Sequence, residues 1–209
     1  MNIEKLKIAE KNFLERYPGG FSHPEMVAIG KKHKMEKMIE FTQSSFAKRN
    51  FRDTLDILEN WVKVVSRSSM VSVFEKPKFK DFIGSLTPKE KNRLVAGLKN
   101  QLHGCEQTGF EAILGIMQMY KLGKWSLISI CPVYHKPQEE VFVKPTTAKG
   151  VVAYFELEGL VYRPQPSWEF YSDYRAKLTQ MKSSVDPLLS PNSAAFSGFL
   201  MMSLPQGKT

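Results

Sequence analysis

The chain has 209 residues, 42% hydrophobic and 24% charged, with 13 Gly and 12 Pro. That composition excludes a disordered, collagen-like or low-complexity chain and suffices for one folded domain. Lys and Arg number 30 against 21 Asp and Glu, a net +9, and the surplus is uneven: residues 1–100 carry 20 basic and 12 acidic side chains, residues 101–209 ten and nine.

Helical periodicity runs along most of the chain. Leu6, Ala9, Phe13 and Tyr17 step by three or four and predict a first helix, ended by Pro18, Gly19 and Gly20. A second helix is expected to start after Ser22, with Pro24 in its first turn, and to run past Phe41. Its Lys31, Lys32, Lys34 and Lys37 are the densest basic cluster of the chain. Phe51, Leu55, Leu58, Val62 and Val65 give the stripe of a third helix. Residues 66–76 break the pattern, because their serine hydroxyls compete for backbone groups. A short helix is expected from about Pro77 to Ile83.

Thr87, Pro88 and Glu90 form a capping box with Pro at the first helical position. Leu94, Leu98 and Leu102 stripe that helix, and Gly104 is the expected left-handed stop. Thr108 and Glu111 repeat the box before Phe110, Ile113, Leu114, Met117 and Tyr120, with Gly123 closing the helix. Residues 125–134 are too apolar to show a period and fit a buried helix or a strand, with Pro132 as the expected end. Val141, Phe142 and Val143 fit an extended segment. A helix over about 147–157 follows, then a Pro-rich loop over 159–166. Ser167 is placed to cap a long helix striped by Tyr171, Tyr174, Leu178, Met181 and Val185, ended by Asp186 and Pro187. A short apolar segment over 196–204 is expected to dock on the core. The expected fold is therefore all-α: a single domain over 1–209 with eight or nine helices and at most a short strand pair. Any subdivision would fall near 104–108, between a basic N-terminal half and a near-neutral C-terminal half.

No catalytic motif is present. Ser45 and Lys48 match the spacing of a penicillin-recognising nucleophile motif, without the further elements such a site needs. Gly207, Lys208 and Thr209 match only the end of a phosphate loop and read as a tail. Glu139 and Glu140 are adjacent acids that are expected to be solvated. The best metal candidates are His103, Cys105, Cys131 and His135; thiolates and imidazoles suit zinc, but neither cysteine belongs to a Cys-x-x-Cys pair. No metal site and no cofactor are expected. Two cysteines make no disulfide framework, the N-terminus has no apolar signal region, and no apolar stretch is long enough to span a membrane, so the expectation is a soluble cytoplasmic protein with no membrane partner.

Two segments have the chemistry to hold an anion. In the first, Arg67, Ser68, Ser69, Lys76, Lys78 and Lys80 combine hydroxyl and cationic donors interleaved with Phe. In the second, Lys144, Thr146 and Thr147 sit at a helix start, where backbone N–H groups and the dipole favour negative charge.

Residues 110–180 resemble the second half of the helix-hairpin-helix DNA glycosylases. Leu122, Gly123, Lys124, Trp125 and Ser126 take the place of the hairpin, and residues 141–143 that of the approach to the catalytic loop. The hairpin has one Gly where the family pattern has two, and Lys144 stands where the catalytic Asp would be. The resemblance implies a helical DNA-binding relative without base excision.

Three functions follow as expectations. The first is a non-catalytic protein whose basic half binds the phosphate backbone of a nucleic acid or another polyanion. The second is an enzyme with a small-molecule pocket lined by Trp125, Tyr134, His135, Trp168 and Tyr171. The third is an interaction or oligomerisation module using the ten Met residues and the apolar Phe199, Leu200, Met201 and Met202.

Overall fold

A computed structural model describes residues 1–205; Gly207, Lys208 and Thr209 lie outside the described residues. Eleven α-helices follow one another: α1 (Ile3–Arg16), α2 (Pro24–Lys32), α3 (Met35–Ser45), α4 (Thr54–Arg67), α5 (Glu75–Ser85), α6 (Pro88–His103), α7 (Glu106–Met119), α8 (Trp125–His135), α9 (Pro145–Tyr154), α10 (Trp168–Ser183) and α11 (Ser193–Ser203). Short 3-10 turns cover Gly20–Ser22, Lys48–Asn50 and Pro187–Leu189. The fold is all-α, and among the described residues there is no strand.

Three outcomes bring the helix count to eleven, above the expected eight or nine: the expected apolar segment over 196–204 is helical as α11, and two further changes lie within the chain. The expected second helix is broken: α2 stops at Lys32, and Lys34 takes a left-handed conformation (φ 53°) before α3 starts. Residues 31–36 contain no Pro or Gly, so nothing in the sequence ended the expected helix there. Residues 125–134 then settle as a helix. Every side chain from Trp125 to Tyr134 is buried, and burial on all sides removes the amphipathic signal. Pro132 does not end α8, which continues to His135.

Several local expectations shift. The core face of α4 is Ile57, Leu58, Trp61, Val64 and Val65, and Leu55 is 63% exposed; the large indole of Trp61 decides which stripe turns inward. The capping box at Thr87 forms, with Thr87 N–H donating to Glu90 Oε2 at 2.9 Å. No second box forms at Thr108, because α7 begins earlier, with Cys105 at its N-cap. Gly104 is not left-handed (φ −138°), and at the end of α7 the positive φ belongs to Lys121 (57°), not to Gly123. Gly109 serves packing. A Cβ there would lie 2.2 Å from the Gln101 nitrogen, so its absence lets α6 and α7 meet backbone to backbone. Val141, Phe142 and Val143 are buried but unpaired by any strand, and α9 starts at Pro145, two residues before the expected Thr147. Ser167 caps α10 as expected, and Tyr171, Tyr174, Leu178 and Met181 are its buried face.

Helix α8 is the hub of this arrangement, with α3, α4, α6 and α7 packed around it. The chain ends meet elsewhere. Helix α1 packs on α11, and the Asn2 N–H donates to the Phe155 carbonyl at 2.8 Å. Among the described residues no helix is long and apolar enough to cross a membrane.

Candidate functional site

The cationic side chains of the N-terminal half are mostly unneutralised. Lys5, Lys7, Lys11 and Lys63 form ion pairs; among the described residues the other sixteen of the twenty have no carboxylate within 4 Å. Tertiary packing splits the expected 66–80 anion segment between two places on α8. Ser68 Oγ bonds Tyr134 Oη at 2.9 Å, near the C-terminal end of α8, whereas Glu75 accepts from Ser126 Oγ at 2.6 Å near its start. Eight residues of helix separate those anchors, roughly 12 Å along the axis.

Arg67 and Ser69 belong to the first place. Ser69 Oγ and His33 Nδ1 are 2.7 Å apart, and the Arg67 guanidinium lies 5.1 Å from the Phe41 ring centroid. These contacts seat the end of α4 on the α2–α3 corner. Lys31, Lys32, Lys34 and Lys37 are all exposed there, on helices that also carry Glu25, Glu36 and Glu40. Ser68 itself is buried, bonded to Tyr134 and to the Met70 N–H, so it offers nothing to a ligand. Burial pushes the Tyr134 hydroxyl up to about 12.

The second place is the first half of α8, which holds the start of α5 and the approach to α9. Ser126 holds the start of α5 through Glu75, and Ser129, one turn on, accepts the Val143 N–H at 3.1 Å just before α9. Side chains three apart on a helix are neighbours, roughly 5–6 Å between Cβ atoms. The start of α5 and the Val143 approach to α9 are therefore anchored at neighbouring positions of α8. Lys78, Lys80, Lys144 and Thr146 are exposed, Lys76 is half-buried and Thr147 is buried. The two helix starts differ. In α5 the N–H groups of Glu75 and Lys76 bond the Ser72 carbonyl and Pro77 has none, so only side chains are left to donate. In α9 no side chain caps the helix and Pro145 sits in its first turn, which leaves the Thr146 and Thr147 N–H groups as the end donors.

The four residues of metal-ligand character do not assemble. The His103 and His135 rings meet edge to face at 4.9 Å, and His103 Nε2 lies 2.7 Å from the Phe46 carbonyl. Cys131 is buried, while Cys105 is exposed and its Sγ accepts from Thr108 Oγ1 at 3.2 Å. No group of three or more such side chains among the described residues is arranged to hold a metal ion. Burial, then the charges of His103 and Lys136, lowers His135 to about 4, and its buried Nδ1 has no partner.

Three of the five residues expected to line a pocket are core, while His135 and Trp168 are partly buried. Trp125, Tyr134 and Tyr171 are at most 1% exposed, and Phe110 stacks on Tyr171 at 5.4 Å. A surface depression of about 500 Å³, open to solvent, is lined by the 159–173 segment and holds none of the five.

One buried polar cluster is not legible in the sequence. Glu140, expected to be solvated, is 4% exposed; it accepts from Tyr171 Oη at 2.6 Å and pairs with Arg175. Arg175 also reaches Glu106 Oε2 at 2.9 Å, and Lys136 reaches Glu106 Oε1 at 3.1 Å. Burial raises the Glu140 carboxyl above the ordinary range against the pull of Tyr171 and Arg175. At Glu106 burial pushes the same way, but the bonds from Arg175 and Lys136 prevail and lower it. The cluster joins the start of α7 and the first half of α10 to the 136–140 connection. No protein-family model, curated protein or solved structure matches the chain.

Proposed function

We propose that this protein is a non-catalytic, nucleic-acid-associated helical module that grips the phosphate backbone through its basic side chains, in the cytoplasm. The observation that supports this reading is the unneutralised charge of the segments held at Ser126 and Ser129: Lys76, Lys78 and Lys80 on α5 and Lys144 at the start of α9 are in no ion pair among the described residues. Lysines and backbone N–H groups donate to phosphate oxygens without reading bases. The α2–α3 corner, with its four lysines and Arg67, is a second cationic contact for a long polyanion. The resemblance of residues 110–180 to the helix-hairpin-helix DNA glycosylases adds DNA as a partner, and Lys144 in the place of their Asp favours binding without base excision. Two free cysteines fit a reducing compartment.

The test is fluorescence anisotropy with labelled duplex DNA and a dT oligonucleotide at 50 and 200 mM salt. Binding should fall steeply with salt. Replacing Lys76, Lys78, Lys80 and Lys144 by Gln should flatten the slope by roughly 0.7–0.9 for each phosphate that is no longer neutralised. No binding of either probe at 50 mM overturns the reading.

A further inference from the structure

Phe74 is the one aromatic residue among those described that is largely exposed, at 77%, and its neighbour Val73 is 69% exposed. This exposure does not come from a loose tip. The segment is pinned on both sides: Ser68 is buried against Tyr134, Val71 is 3% exposed, and Glu75 is held by Ser126. Ser72 fixes the turn between, its Oγ accepting the Phe74 N–H at 3.3 Å and its carbonyl the Glu75 N–H at 3.0 Å. A ring held rigidly in water is a place for something flat to settle.

The surroundings identify the occupant. Phe74 is the N-cap of α5 and Lys78 lies four residues on, so ring and ammonium share one side of the helix, roughly 5–6 Å apart at Cβ. That spacing suits a base and its own phosphate. The apolar stripe of α5, Phe79, Phe82 and Ile83, is buried in the core, which leaves a ring and one valine: too little apolar surface for a lipid bilayer and enough for one stacked base. A ring reaches a base face only where the bases are unpaired, and stacking on aromatic side chains is how single strands are held.

We infer that Phe74 is a base-stacking platform and that Lys78 takes the adjoining phosphate, so the preferred partner is single-stranded nucleic acid. This rests on the polyanion reading above and adds a strand preference to it. The experiment is anisotropy titration of the full chain with a dT oligonucleotide and with duplex DNA of equal length, for wild type, Phe74→Ala and Phe74→Trp. Phe74→Ala should weaken dT binding at least about fivefold, with duplex binding and both salt slopes unchanged. Phe74→Trp should keep dT binding, and its added fluorescence should be quenched on dT. If both probes bind with salt dependence and Phe74→Ala alters neither, stacking is wrong and the polyanion reading stands. If neither probe binds at 50 mM salt, both fall. If Phe74→Trp fluorescence shifts to the blue on vesicles of phosphatidylserine and phosphatidylcholine but not on dT, the surface belongs to a membrane and the inference is overturned.

Discussion

The side-chain nitrogen of Gln101 lies 3.3 Å from the carbonyl oxygen of Ile128, the carbonyl that Pro132 leaves without a helical partner. In α8 the residue at 132 should donate its N–H to the carbonyl at 128, and proline has none. The helix passes through its proline because a glutamine on α6 supplies the missing donor inside the core, where an unpaired carbonyl is strongly destabilising. Gln101 Oε1 remains without a partner, so the arrangement carries a cost of its own.

This relationship makes a coupled prediction. Gln101→Leu should destabilise the protein by about 1–3 kcal/mol, the cost of orphaning a buried polar group. In a Pro132→Ala background the helix supplies its own N–H, so the same change should be milder. Urea unfolding of the two single variants and the double variant gives the coupling; strict additivity would show that the bond carries no weight.

Arg175 is the partner that makes a buried Glu140 tolerable. Arg175→Met should destabilise by about 2–4 kcal/mol, because it strands a carboxylate whose side chain is 5% exposed. Adding Glu140→Leu should recover much of that loss, since no charge is then left buried. Chemical denaturation compares the two; a double variant no more stable than Arg175→Met would contradict the account.

His135 predicts a stability loss in mild acid. Its pKa falls from an ordinary 6.5 to about 4, chiefly through burial. The unfolded chain takes up a proton below about 6.5 and the folded chain only near 4, so stability drops as pH falls through that window and levels off below it. The full shift corresponds to about 3 kcal/mol, which solvent screening of this half-buried ring reduces to roughly 1–2 kcal/mol. His135→Gln should flatten the profile of unfolding free energy against pH between 6.5 and 4.

The two cysteines should differ sharply in reactivity. Hydrogen bonding from Thr108, first its hydroxyl and then its N–H, lowers the exposed Cys105 thiol, whereas burial pushes Cys131 well up. A chromogenic disulfide reagent at neutral pH should consume one thiol quickly and the other only on unfolding. Cys105→Ser should remove the fast phase and Thr108→Val should slow it; equal rates for both thiols would refute the assignment.

Local rules were legible wherever one residue type has one strong preference. Thr87 with Glu90, Ser167 before α10, and the stripe from Tyr171 to Met181 stand as their spacing dictates, because capping and amphipathic burial act within a few residues. The break at Lys34 was illegible, since a left-handed lysine carries no sequence mark. The role of Gly109 was not visible in the sequence, because only the position of α6 makes it a contact.

By itself the sequence determined an all-α chain, the basic bias of its first hundred residues and most helix ends, because each depends on composition or on neighbours along the chain. Tertiary structure decided where each basic segment is anchored. Ser126 and Ser129 hold the start of α5 and the approach to α9, while Ser68 and His33 carry Arg67 and Ser69 away to the α2–α3 corner. It also buried Glu140 and left Phe74 in water. Charge and hydropathy set how much must be covered or solvated, but proximity between residues dozens of positions apart comes only from how helices pack, and single hydrogen bonds at their ends fix that.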